Sequence, residues 1–174
     1  MVRGEIDASI QKLDSAIKQM PGYNGVTFRG NRSIPNINEM FQQWKSGNWA
    51  QVKWKACSSS STNYGIAEGF DGDVIYVIRG KGKQSAYLGN CSYLPHEKEV
   101  LFARDSAFRV TAVAERKDGP FMNRLVVLDE VDGVIPESQV APKIVDYDEL
   151  EFACRRPMTT VDNAIEKIVG PAPK

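Results

Sequence analysis

Short β-prone runs at irregular spacing constrain this chain more than any other feature. Segments 26–28, 51–57, 73–79, 85–88, 97–102, 107–114 and 123–131 are rich in branched and aromatic residues. A doubly wound parallel sheet would need a helix between successive strands, and most of these runs are too close together for that. The arrangement predicts an α+β fold with two packed, mainly antiparallel sheets and flanking helices. Ile6, Ile10, Leu13, Ile17 and Met20 recur at four- and three-residue steps, which predicts an amphipathic helix ended by Pro21-Gly22. Ile37, Met40, Phe41 and Trp44 predict a second helix over 36–45 that stops near Gly47. Ser61 or Thr62 is placed to cap a short helix through Ile66, Ala67 and Phe70. Gly80-Lys81-Gly82-Lys83 reads as a solvated turn, because it lacks the full phosphate-loop pattern.

Beyond Gly133 the periodicity fades. Prolines at 136, 142, 157, 171 and 173 suggest an extended segment wrapping the domain, with one late helix over 161–169. Asp146, Asp148, Glu149 and Glu151 read as a solvated acidic face that could dock a basic partner. At 174 residues the chain is expected to be one domain.

Composition removes several functions. The 22 basic and 22 acidic side chains cancel, which argues against a general electrostatic grip on nucleic acid or anionic membrane. No apolar run approaches the length of a membrane span, and the first residues lack a signal-peptide stretch. The starting Met is also compatible with a fragment of something longer. Cysteines at 57, 91 and 154 are odd in number and widely spaced, so they form neither a disulfide framework nor a zinc-ligand pair. Reduced thiols in a cytoplasmic compartment fit best. With His96 the single histidine, a histidine-based metal site or a serine–histidine–aspartate triad is nearly excluded.

The chemistry concentrates in three places. Glu97-Lys98-Glu99 opens the run 97–102 after a turn-rich loop. In a strand both carboxylates share one face, about 7 Å apart. A solvated edge tolerates that pair, whereas desolvating either carboxylate penalises it. Upstream, Phe28-Arg29-Gly30 closes one short strand, and Ser58-Ser59-Ser60-Ser61 follows another. Taken singly, Arg29 also fits a structural ion pair, Gly30 a turn and the serines a plain loop.

In this order and spacing, over residues 5–130, the chain resembles the mono-ADP-ribosyltransferase family in its arginine–serine–glutamate branch, which includes many bacterial toxins and phage enzymes. It departs from the pattern by Ser58-Ser59-Ser60 where Ser-Thr-Ser is usual, and by Cys57 where an aliphatic or aromatic residue usually precedes. Ser61 extends the run and leaves its register open. The resemblance implies a split β-sandwich with a catalytic core over 1–131 and an extension, 132–174, on the same domain.

It also implies a reaction: ADP-ribose passes from NAD to an arginine of a target protein, and nicotinamide leaves through an oxocarbenium-like transition state. Glu99 matches the catalytic glutamate that stabilises the sugar cation and binds its 2-hydroxyl. Glu97 matches the first glutamate of the pair, which positions the acceptor guanidinium and takes its proton; with a pKa above about 12, that group is otherwise a poor nucleophile. Arg29 would bind the NAD pyrophosphate or ribose edge, and Gly30 would bring backbone groups near the nicotinamide amide. Ser58 would hold Glu99 by a hydrogen bond. Tyr93 would stack on the target arginine or pack on its own loop. Phe70 is a nicotinamide platform or a core residue, and Arg79 or Lys83 could touch NAD phosphate. No metal is expected. Partners would be a target protein with an accessible arginine and an immunity protein or inhibitor, with no membrane, and nucleic acid not expected. The site of action would be the cytoplasm of a bacterial or host cell, reached as a secreted effector or a phage protein. An NAD glycohydrolase, a nucleic-acid ADP-ribosyltransferase and a silent binding module on the same fold are the alternatives.

Overall fold

The computed structural model describes residues 12, 15–31, 34–47, 51–55, 57–69, 74–88, 99–131 and 141–172. Its elements are β1 (Val26–Asn31), α1 (Ile37–Ser46), β2 (Gln51–Trp54), β3 (Ser58–Ser61), α2 (Tyr64–Glu68), β4 (Val74–Arg79), β5 (Ser85–Tyr87), β6 (Glu99–Phe102), β7 (Ser106–Asp118), β8 (Phe121–Glu130), β9 (Lys143–Ile144), α3 (Tyr147–Cys154) and α4 (Val161–Val169). Of the first predicted helix, residues 12 and 15–20 are described, and all but Met20 are helical. Among the described residues, no helix is long and apolar enough to cross a membrane.

The strands follow one hydrogen-bonded path, β2-β7-β8-β4-β1-β3-β6-β5, with β9 on β7. β4–β8 and β7–β9 run parallel and the other pairs antiparallel. The path divides into two leaves. β1 is matched to β4 at six positions, but to β3 only through Phe28 and Ser61. The leaf β3-β6-β5 therefore hangs from the larger leaf at one point and packs back across it. Phe102 of β6 lies 5.3 Å from Phe108 of β7, ring centroid to ring centroid.

Strand alternation sorts the core into two layers. On β8, Leu125 and Val127 face the layer under α2, α3 and α4, while Val126 and Leu128 face the layer between the leaves. β7 changes parity in mid-strand. Phe108 and Val110 face the inter-leaf layer, yet Ala112 and Ala114 face the helices. The cause is a register shift between Val110 and Ala112, where the extra residue, Thr111, turns the strand over.

The C-terminal residues form more structure than their fading periodicity predicts. Asp146 caps α3 by accepting the Glu149 N–H at 2.9 Å, so the start of the acidic run is a helix N-terminus. Tyr147, Leu150, Ala153 and Cys154 of α3, with Val161, Ile165 and Val169 of α4, are buried in the helix-side layer. Burial and nearby Glu151 both push the Cys154 thiol pKa up. The sequence pattern missed α3 because an eight-residue helix shows barely two turns of its apolar stripe. The serine run is itself strand β3, and the cap of α2 is Asn63, whose Oδ1 accepts the Gly65 N–H at 2.8 Å, in place of Ser61 or Thr62.

Gly80-Lys81-Gly82-Lys83 is not a freely solvated turn. Its backbone wraps the fully buried Glu130 carboxylate, which accepts the N–H groups of Lys81, Lys83 (3.1 Å) and Gln84 (2.7 Å). Gly22 presses on Gly82, and a Cβ at Gly22 would meet the Gly82 oxygen at 2.1 Å.

Beside Glu130, Asp129 is equally buried. Arg79 forks onto it through Nε (2.6 Å) and Nη2 (2.7 Å), and its Nη1 donates to the Gly170 carbonyl at 2.6 Å. Removing the cation strands a buried carboxylate. Arg79→Met should cost about 3–5 kcal/mol, read as a lower urea midpoint at unchanged slope.

Candidate active site

The two leaves diverge beyond the Phe28–Ser61 pair, and a cleft of about 390 Å³ opens between them. β1 contributes Arg29, Gly30 and Asn31 to its walls, β3 contributes Ser59, Ser60 and Ser61, α2 contributes Ile66 and Ala67, and β6 contributes Glu99. One cation and one carboxylate from opposite leaves thus face a common space. β1 is clamped along its length to β4, so Arg29 projects from a rigid strand. Glu99 opens β6 and is half-buried.

Arg29 is held on two sides. Its Nη1 donates to the Ser59 carbonyl at 2.8 Å, across the cleft mouth, and its Cζ lies 5.5 Å from the centroid of the Trp54 ring. Burial lowers the guanidinium pKa, and neighbouring Tyr76 acts in the opposite direction. Tyr76 is the ladder partner of Arg29 on β4. Its phenol is pushed up to about 12 by burial, against the lowering effects of a hydrogen bond with the Asn31 side chain and of the Arg29 charge. A guanidinium remains charged even when partly desolvated. Such a cation, stripped of part of its water, is suited to paired phosphate oxygens.

Strand parity decides which serine meets Glu99. β3 and β6 pair antiparallel with Ser58 opposite Phe102, Ser59 opposite Leu101, Ser60 opposite Val100 and Ser61 opposite Glu99. Val100 and Phe102 are buried between the leaves, so Ser58 and Ser60 share that inner face. Ser60 Oγ donates to the Val100 carbonyl at 2.9 Å and pins the two strands together. Ser61 lies on the Glu99 face, and its hydroxyl accepts the Asn63 N–H at 3.0 Å. Ser58, assigned to Glu99 from the sequence, instead sits at the opposite end of β3 and on the opposite face. The shift arises because four consecutive serines carry no mark of register.

Two further candidates have defined places in the structure. Gly30 lines the cleft beside Arg29. Arg79 does not line it: the residue is only 7% exposed, and its guanidinium is forked on Asp129 and bonded to the Gly170 carbonyl, so its donors are engaged within the fold. Phe70, Tyr93, His96 and Glu97 lie outside the described residues. From the serine run the sequence reading assigned a role to Ser58 alone, and it passed over Asn31, two residues beyond Arg29 on the same face of β1.

The sequence model of a family described as ADP-ribosyltransferase exoenzyme matches residues 1–132. Among solved structures, the chain is similar to the ADP-ribosyltransferase HopU1 of Pseudomonas syringae pv. Tomato DC3000, with 21% identity and a TM-score of 0.59 over 70% of this chain and 53% of that one. It is similar to the Vis toxin, an ADP-ribosyltransferase from Vibrio splendidus, at 18% identity and a TM-score of 0.57, over 83% of this chain and 63% of that one. Plx2a, an ADP-ribosyltransferase toxin from Paenibacillus larvae, aligns at 16% identity with a TM-score of 0.60 over 75% of this chain and 73% of that one. At these identities the likeness is one of fold. The chain spans about half to two thirds of the first of these structures. No curated protein sequence matches it.

The parity of β3 predicts unequal serines. With NAD as the substrate tested, Ser61→Ala should lower turnover about tenfold, the scale of one hydrogen bond, because Ser61 pairs with Glu99 in the ladder and lines the cleft. Ser58→Ala should leave it within about twofold, because Ser58 pairs with Phe102, at the other end of β3 from Glu99. Initial rates of nicotinamide release compare the two.

Proposed function

The chain belongs to the ADP-ribosyltransferase exoenzyme family, and from that premise we propose that it transfers ADP-ribose from NAD to an arginine side chain of a target protein. The observation that carries this reading is the meeting of Arg29 and Glu99, from opposite leaves, across one cleft edged by serines. A half-desolvated guanidinium and a carboxylate are the two charges that NAD cleavage calls for. One matches the pyrophosphate and the other the sugar cation.

In this mechanism Arg29 grips the pyrophosphate and Gly30 lets the nicotinamide approach the backbone. Glu99, steadied by Ser61, accepts the ribose 2-hydroxyl and faces the anomeric carbon. The bond from that carbon to nicotinamide breaks, and its electron pair leaves with the neutral nicotinamide. The oxocarbenium ion so formed is stabilised by the Glu99 carboxylate. An acceptor guanidine nitrogen then bonds to the anomeric carbon, and its proton passes to the Glu97 carboxylate. Tyr93 stacks on the acceptor. Residues 1–131 carry this chemistry, and α3 and α4 of the C-terminal extension brace the sheet behind it.

Two neighbours lend support. Vis has a solved structure in complex with agmatine, and BECa of C. perfringens has one with NADH. Agmatine carries a guanidinium, the chemical group proposed here as acceptor. The toxin and effector neighbours favour a target inside a host cell.

The test supplies labelled NAD with agmatine or a host-cell lysate. Wild type should form ADP-ribosyl-agmatine and modify protein arginines, mapped by mass spectrometry. Glu99→Ala should lower both transfer and NAD hydrolysis by about 10²–10³, the usual loss when a transition-state charge partner is removed. Glu97→Gln should lose transfer and keep hydrolysis. Wild type that consumes NAD and labels nothing would make this a glycohydrolase. Labelled nucleic acid would redirect the acceptor, and failure to bind NAD would leave a silent module.

A further inference from the structure

Trp54 does not line the cleft, yet the Arg29 guanidinium lies over its ring, 5.5 Å from the centroid. The sheet does not bring them together. β2 ends the hydrogen-bonded path, with β7, β8 and β4 between it and β1. The contact exists because the smaller leaf folds over the larger and crowds aromatic rings between them. Trp54 is the hub of that crowd, at 5.7 Å from Tyr76, 5.9 Å from Phe102 and 4.6 Å from Phe108. Tyr76 is the ladder partner of Arg29, and Phe102 ends the strand that Glu99 begins. One indole thus touches the support of the cleft's cation and the strand of its carboxylate.

We propose that Trp54 is a positioning residue for ADP-ribosyl transfer: its face holds the Arg29 guanidinium flat and aimed into the cleft, and its edge, through Phe102, sets the separation of Arg29 from Glu99. This rests on the reading that Arg29 takes the phosphates of NAD. A guanidinium donates only in its own plane, so a ring beneath it restricts the directions in which it can bind oxygen. The ring's negative face also replaces part of the water that burial removes.

The test places fluorotryptophans of increasing fluorine number at position 54, beside Trp54→Phe. Fluorine withdraws charge from the ring face and nearly preserves its shape. The KM for NAD should rise stepwise with fluorine number, reaching roughly five- to thirtyfold, the range of a desolvated cation–π contact. The kcat and Tm of the fluorinated series should hold, whereas Trp54→Phe, which removes the edge that reaches Phe102, should lower kcat as well. In the ligand-free protein, the Arg29 Nε–H resonance should shift in step with fluorine number. A flat KM and a static Arg29 resonance would overturn the inference and leave Trp54 a core residue only. If Arg29→Ala binds NAD as tightly as wild type, the phosphate reading falls and this inference with it. Loss of NAD binding in Arg29→Ala together with a flat fluorine series would overturn the Trp54 role alone.

Discussion

The Asp129 carboxylate accepts hydrogen bonds from two parts of the molecule that sequence keeps far apart, and through one of them it is tied to a third. Arg79 on β4 forks onto it, and Thr111, the extra residue of the β7 bulge, donates its hydroxyl to it. The same arginine reaches on to the Gly170 carbonyl at the end of α4. An isolated carboxylate with no exposure would be expelled or neutralised, so these groups must arrive together or not at all. The bulge reverses the parity of β7, and that reversal points Ala112 and Ala114 at the helices while Phe108 and Val110 face the other leaf. The two-layer core and the docking of the C-terminal helices are therefore tied to one buried anion. Its neighbour Glu130 does the same for the loop 80–84.

The cleft depends on that rigidity at one remove. β1 owes its place to six ladder positions with β4, and β4 owes its own to β8 and the Arg79–Asp129 fork. Arg29 is consequently presented from a fixed strand, while Glu99 arrives on a leaf joined to it at a single backbone pair. Side chains close the gap: Ser59 meets Arg29 through its carbonyl, and the rings around Trp54 fill the space below.

Much of this was legible from the sequence. The β-prone runs, the helix around Phe41 and Trp44, the late helix and the layered α+β class follow from periodicity and composition. Arg29, Gly30 and Glu99 were singled out by the motif order, and they share one cleft. What failed were matters of register and of distant pairing. Four identical serines cannot say which of them faces Glu99, and only the ladder with β6 does. Arg79 has the look of a phosphate ligand until Asp129, fifty residues later, claims it. Trp54 left no trace as a site residue, because its contact with Arg29 arises from the folding-over of a leaf and from no local pattern. The acidic run beginning at Asp146 is exposed over Asp146, Asp148 and Glu149, as its charge suggests, but that Asp146 also caps a helix was hidden, since a capping residue and a surface residue look alike when the helix is short.

A join made of one backbone pair has a further effect on how such a fold can vary. Hydrogen-bond ladders lock distance at the fixed spacing between neighbouring strands, but the separation of the two leaves obeys the thickness of the rings between them. Exchanging one aromatic for a smaller or larger one in that layer changes the gap and leaves both ladders untouched. Cleft width is thereby decoupled from strand register, and the cleft can be widened or narrowed by core substitutions alone, without new loops and without redrawing the sheet.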